Sequence, residues 1–158
     1  MVFTGRVQPR SSDGRRAGTG PPGEAEIQRL NPSRESAIRR VTGWETLAPG
    51  SLNLLVEDAV VDGLAAFEPA LEEPAAGIVY PSPYESIPKI RRAYWYYAAT
   101  AHRGDRDESV LVRRAMVPVR GVVELFSAVS LTDTFKLVTG DLVSVEVHGS
   151  RRSSGTAT

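Results

Sequence analysis

The chain has no cysteine, which excludes disulfides, thiolate metal sites and a cysteine nucleophile. Imidazole is nearly as scarce: His102 and His148 lie far apart in the sequence, so a histidine-rich zinc site is not expected. Lysine is confined to Lys89 and Lys136, and arginine supplies the rest of the positive charge. No charge of one sign predominates, because 19 Lys and Arg offset 19 Asp and Glu, and no net field points to nucleic acid or an anionic membrane. The doublets Arg91-Arg92, Arg113-Arg114 and Arg151-Arg152 read as solvated surface charge, so neither nucleic acid nor membrane is expected as a partner. No apolar run approaches the ~20 residues that span a bilayer. Met1-Val2-Phe3 passes to Gly5-Arg6 without a signal-peptide core, so a cytoplasmic chain is the expectation, with a monomer as the default.

What is present suits one domain. A length of 158 residues can bury a real core. The domain is expected over 1–149, with a flexible Gly/Pro/Arg loop at about 10–26 and a disordered polar tail at 150–158. Val2 to Val7 alternates as a first strand. Asn31-Pro32-Ser33-Arg34-Glu35 reads as a helix start, Ala37, Ile38 and Val41 as its apolar stripe, and Gly43 as its stop. Such a helix is most economically a lid on one side of the core. From Glu57 to Glu73 the pattern weakens into irregular connection, and Gly77 to Tyr80 is a possible short strand.

The aromatic run Tyr94-Trp95-Tyr96-Tyr97 predicts a strand suited to a core or a ligand wall. A hairpin about Arg103-Gly104-Asp105 leads to a strand over 109–119. Another strand follows at Gly121 to Phe126, then a capping box at Ser130 to Asp133 opening a short helix through Phe135 and Leu137, and a last strand over Leu142 to His148. Several short strands, two short helices and no regular strand–helix alternation predict a mainly β fold, a small closed or partly closed barrel.

Two places invite chemistry. Pro49-Gly50 feeds the strand Ser51 to Val56, where Leu52, Leu54 and Val56 take one face and Ser51 and Asn53 the other. A hydroxyl and an amide oxygen side by side are donors of the kind a hard cation accepts when phosphate and water complete its shell. On spacing alone, ordinary turn chemistry explains the same pair more simply. Glu124 is a carboxylate inside an apolar strand, so it requires either a partner or a solvent-facing position. Gly18, Gly20 and Gly23, with Glu24 beside them, would let backbone amides approach phosphate, although a surface loop has the same composition.

The ordered set of these signals resembles the archaeal-type CTP-dependent riboflavin kinase family. The resemblance runs from Gly5-Arg6-Val7 through the glycine-rich loop and Gly43-Trp44 to Pro49-Gly50-Ser51-Leu52-Asn53-Leu54. It continues in Glu124-Leu125-Phe126, Leu131, Phe135-Lys136-Leu137 and Gly140-Asp141, covering most of Gly5 to Gly149. Its centre is similar to the family's Gly-Thr-Leu-Asn motif, with Ser51 keeping the hydroxyl. The resemblance implies a six-stranded cradle-loop barrel that passes the terminal phosphoryl of CTP to riboflavin, giving FMN and CDP, with Mg²⁺ as cofactor. It implies Ser51 and Asn53 as the metal corner and Glu124 as the catalytic, flavin-side carboxylate. It also places Gly18, Gly20, Gly23, Glu24, Ser130 and Thr132 around the nucleotide. Ser130 and Thr132 stand where the family carries basic residues, so a noncatalytic nucleotide- or flavin-binding barrel is the alternative.

Overall fold

A computed structural model describes residues 1–9, 32–73, 93–117 and 119–153. The loop glycines Gly18, Gly20 and Gly23, together with Glu24, Asn31 and the strand expected at 77–80, lie outside the described residues. Among the described residues seven strands form in chain order: β1 Val2–Val7, β2 Leu52–Leu55, β3 Leu71–Glu73, β4 Tyr94–Arg103, β5 Arg106–Ala115, β6 Val122–Phe126 and β7 Leu142–Val147. Three helices accompany them among the described residues: α1 Pro32–Thr42, α2 Asp58–Leu64 and α3 Leu131–Thr134.

The strands pair antiparallel in the order β4-β5-β6-β2-β1-β7, and β7 returns to β4, closing a six-stranded barrel. β3 lies outside it, paired to the first half of β4, while β7 takes the second half of the same strand. Alternation along each strand fills the interior. Phe3, Leu52, Leu54, Tyr97, Ala99, Val110, Val112, Val123, Leu125, Val143 and Val145, drawn from all six barrel strands, meet there in one core.

Both ends of the barrel are plugged. α2 sends Val61 and Leu64 into one end, and Leu131, Phe135 and Leu137, from α3 and the turn after it, fill the other. At the α2 end, Arg114 donates from Nε to the Val61 carbonyl at 2.7 Å. Two guanidinium groups lie over Trp95, those of Arg114 and Arg152, centred 5.2 and 5.0 Å from its ring. Residues expected to trail as a tail are tied down here: Arg151 bridges to Phe67, and the Arg152 backbone N–H donates to the Ala66 carbonyl at 2.7 Å.

A second, smaller core lies on the barrel's outer face. Ile38 of α1 packs on Tyr96, Leu111 and Phe126, with Trp44, Leu47, Leu71 and Tyr94 around them. The expected lid helix is therefore α1, ended by Gly43 at φ 75°, whose N–H donates to the Arg39 carbonyl at 2.9 Å. A bidentate pair holds the lid down: Arg34 Nε and Nη2 each donate to a different oxygen of Glu73 at 2.9 Å, and Tyr96 Oη donates to Glu73 Oε1 at 2.6 Å. Burial by itself lowers the Arg34 guanidinium, but its hydrogen bonds to Glu73 and the fields of Tyr96 and Glu73 hold it above its ordinary value. The Tyr96 phenol is pushed far up by burial, against the field of Arg113.

Several expectations are corrected. The described residues alone hold three helices where two were expected, since α2 and then β3 occupy the stretch read as irregular. β5 starts and ends earlier than 109–119, because the hairpin turn at Gly104, φ 61°, is tight enough to pair Arg103 with Arg106. α3 stops at Thr134, since Lys136 adopts a φ of 53°. The Arg113-Arg114 doublet is buried, 4% and 7% exposed, because consecutive strand residues point to opposite faces and both faces are covered here.

Candidate functional site

The pairing of β2, β6 and β5 decides where the polar residues meet. Asn53 lies opposite Glu124, and Glu124 lies opposite Arg113, so three polar side chains form one row across the outer face. Their neighbours along each strand, Leu52 and Leu54, Val123 and Leu125, and Val112, point inward and hold this row outward. Ser51 precedes β2 on the same outward side.

The row is connected. Ser51 Oγ donates to Glu124 Oε2 at 2.9 Å, and Arg113 Nη2 donates to the same oxygen at 2.6 Å. Ser51 Oγ also lies 3.5 Å from Asn53 Oδ1. Glu124 is thus an ion-paired carboxylate on the rim, 23% exposed, which answers how a charge is accommodated in that strand. The chain enters beside this corner, where the Gln8 N–H donates to the Asn53 carbonyl at 3.0 Å. Behind Arg113 stand two rings, Tyr94 and Phe126, with centroids 4.3 and 4.8 Å from its guanidinium carbon.

A cleft of about 120 Å³ opens where β5 and β6 diverge, lined by Tyr94, Arg113, Glu124, Val119 and Val122 among others. Pockets for whole small molecules run to roughly 300–1,000 Å³, so the described walls would seat one end of a ligand. Glu124 joins the two features, reaching the Ser51–Asn53 corner on one side and the cleft on the other.

As a metal corner the donor set is chemically suitable. Two oxygens adjacent on an octahedral ion with bonds of 2.0–2.1 Å lie about 3 Å apart, and the two here need only close slightly. Among the described residues no group of three or more His, Asp or Glu is placed to hold a metal. A cation at Ser51 and Asn53 would therefore draw its remaining ligands from phosphate and water, as Mg²⁺ commonly does.

The nucleotide-side residues are placed differently. Ser130 caps α3, its Oγ accepting from the Asp133 N–H at 3.4 Å, as the capping-box spacing predicts. Thr132 is half-buried, and its carbonyl accepts from the Leu137 N–H at 2.9 Å. Neither hydrogen-bonds Ser51, Asn53 or Glu124 among the described residues. Arg113 is the participant that sequence reading missed, and the available signal was its pairing opportunity: an arginine in a strand next to the one carrying the lone apolar-strand carboxylate.

The fold and site together define a closed antiparallel barrel with a polar row on its outer wall, under the edge of a helix lid. Comparison with protein-family models finds no match, and no curated protein matches the chain.

Proposed function

We propose that the chain is a Mg²⁺-dependent phosphotransferase resembling the CTP-dependent riboflavin kinases, moving the terminal phosphoryl of CTP to riboflavin. The observation that carries the reading is the convergence of Glu124, 73 residues from Ser51 in the sequence, with the neighbours Ser51 and Asn53 into one connected row beside a cleft. Phosphoryl transfer needs positioning and charge neutralisation more than covalent chemistry. Ser51 and Asn53 would hold the Mg²⁺, which supplies charge neutralisation at the phosphates when bound. Glu124 would face the accepting hydroxyl from the cleft side and orient it.

The test is FMN formation from riboflavin with CTP and with ATP in parallel, with Mg²⁺ and after its removal by chelation. Product should form with CTP and stop with chelation. Asn53→Ala should lower the rate by about 100-fold or more, the scale of a misplaced reacting group. No FMN with either nucleotide would overturn the reading. A second reading, a noncatalytic nucleotide- or flavin-binding barrel, draws on Ser130, whose hydroxyl caps α3 where the family carries a basic side chain. Calorimetric binding of riboflavin or CTP without turnover would favour it.

A further inference from the structure

We infer that Arg113 is a positioning residue that fixes the Glu124 carboxylate between the Ser51 corner and the cleft. The inference rests on the reading of Glu124 as a site residue, and not on which nucleotide or acceptor is used.

The two buried arginines of the outer face are held in different ways. Arg34 and its partner Glu73 are both inaccessible, 2% and 6% exposed, and their bidentate pair ties the lid helix to β3. Arg113 is 4% exposed, but its partner Glu124 is 23% exposed and shares its bonded oxygen with Ser51. The first pair joins two elements inside the fold. The second carries rigidity from the interior out to the rim where a ligand would arrive.

The source of that rigidity is visible in the packing. A guanidinium is planar and stacks on aromatic faces, whereas an ammonium is a point charge on a flexible stem. Arg113 has Tyr94 and Phe126 rings within 4.3 and 4.8 Å, and Phe126 is itself fully buried, edge-on to Tyr96 with centroids 5.9 Å apart. An arginine so held presents its Nη2 in one place. Because Glu124 lies directly opposite on the paired strand, its carboxylate is fixed relative to Ser51 and Asn53. Groups held before the ligand arrives need no reorganisation when it does, and that is the advantage a positioning residue confers.

The test uses Arg113→Lys, Arg113→Met, Phe126→Leu and Glu124→Gln in the full chain. Phe126 touches Arg113 but does not line the cleft, so its replacement reaches the site through the guanidinium, and its loss of packing in the outer core is read separately as a change in stability. In FMN formation, kcat should fall about 10- to 100-fold in Arg113→Met with KM changed no more than about threefold, and Arg113→Lys should recover part of the loss. Unchanged kcat in folded Arg113→Met, or in Phe126→Leu should Arg113→Met fail to fold, overturns the inference. A readout that needs no turnover separates it from the kinase reading: NMR of isotope-labelled arginine. Rotation of the Arg113 guanidinium should be slow in the native chain and fast in Glu124→Gln and in Phe126→Leu. If the native chain makes no FMN, the kinase reading falls alone, and slow rotation released by Glu124→Gln still upholds the restraint. Fast rotation in the native chain overturns it whatever the turnover.

Discussion

Tyr96 and Tyr97 are adjacent, equally inaccessible and chemically identical, yet the two phenols have opposite circumstances. Tyr96 points outward under the lid and donates to Glu73 at 2.6 Å, while Tyr97 points into the barrel, where its hydroxyl lacks a hydrogen-bond partner among the described residues. An unmet buried donor carries its full desolvation cost, whereas a met one in a charged network is worth more than a neutral pair. Tyr96→Phe should therefore lower unfolding free energy by about 1–3 kcal/mol, and Tyr97→Phe should be neutral or stabilising by up to about 1 kcal/mol. Urea denaturation of the two variants checks this. Equal losses would mean that Tyr97 has a partner, such as a buried water, in solution.

Among the elements, β1 and β2 form the shortest seam of the barrel, with register pairs only at Arg6–Leu55 and Val7–Leu54. Gly5 makes the approach possible. A Cβ built there would fall 2.7 Å from Leu54 Cβ, an atom next to the backbone that cannot swing away. Gly5→Ala should destabilise the fold by about 1–3 kcal/mol through overpacking. The seam also carries Ser51 and Asn53 on its outward side, so the same substitution should weaken Mg²⁺-dependent activity beyond the loss of folded protein. Thermal unfolding alongside FMN formation per folded molecule separates the two effects. Undiminished stability would show that β2 shifts outward freely.

For the whole molecule, alkaline pH is the informative stress. Burial raises the Tyr96 and Tyr97 phenols above their ordinary value of 10.0. The unfolded chain releases these protons near pH 10.0 and the folded chain only at higher pH. Their contribution to stability is therefore complete below about pH 10 and is lost as pH rises through the folded values. Melting temperature should fall steeply above that point, and less steeply in Tyr96→Phe and Tyr97→Phe. The share of tyrosinate absorbance that Tyr96→Phe and Tyr97→Phe remove should develop together with unfolding instead of ahead of it. That share forming near pH 10 in the folded chain would contradict this.

The lone carboxylate at Glu124 and the paired oxygens at Ser51 and Asn53 were apparent from the chain, as were most strands, because alternation is a local property. Each residue's face follows from its immediate neighbours, so Leu52 and Leu54 place Asn53 outward before any partner strand is known. The Ser130 cap and the Gly43 stop are local for the same reason. α2 was not legible, since seven residues with Val61 and Leu64 as their buried positions are too short to show a period. β3 has three residues and exists by pairing with β4. Nor could Arg113-Arg114 be told from surface charge, because burial there comes from covers drawn from elsewhere in the chain. The row Asn53–Glu124–Arg113 is a matter of strand order and register, set when the barrel closed on itself. Ser51 and Glu124 thus stand 2.9 Å apart because of how the strands around the barrel pack together, and no nearest-neighbour rule along the chain contains that distance.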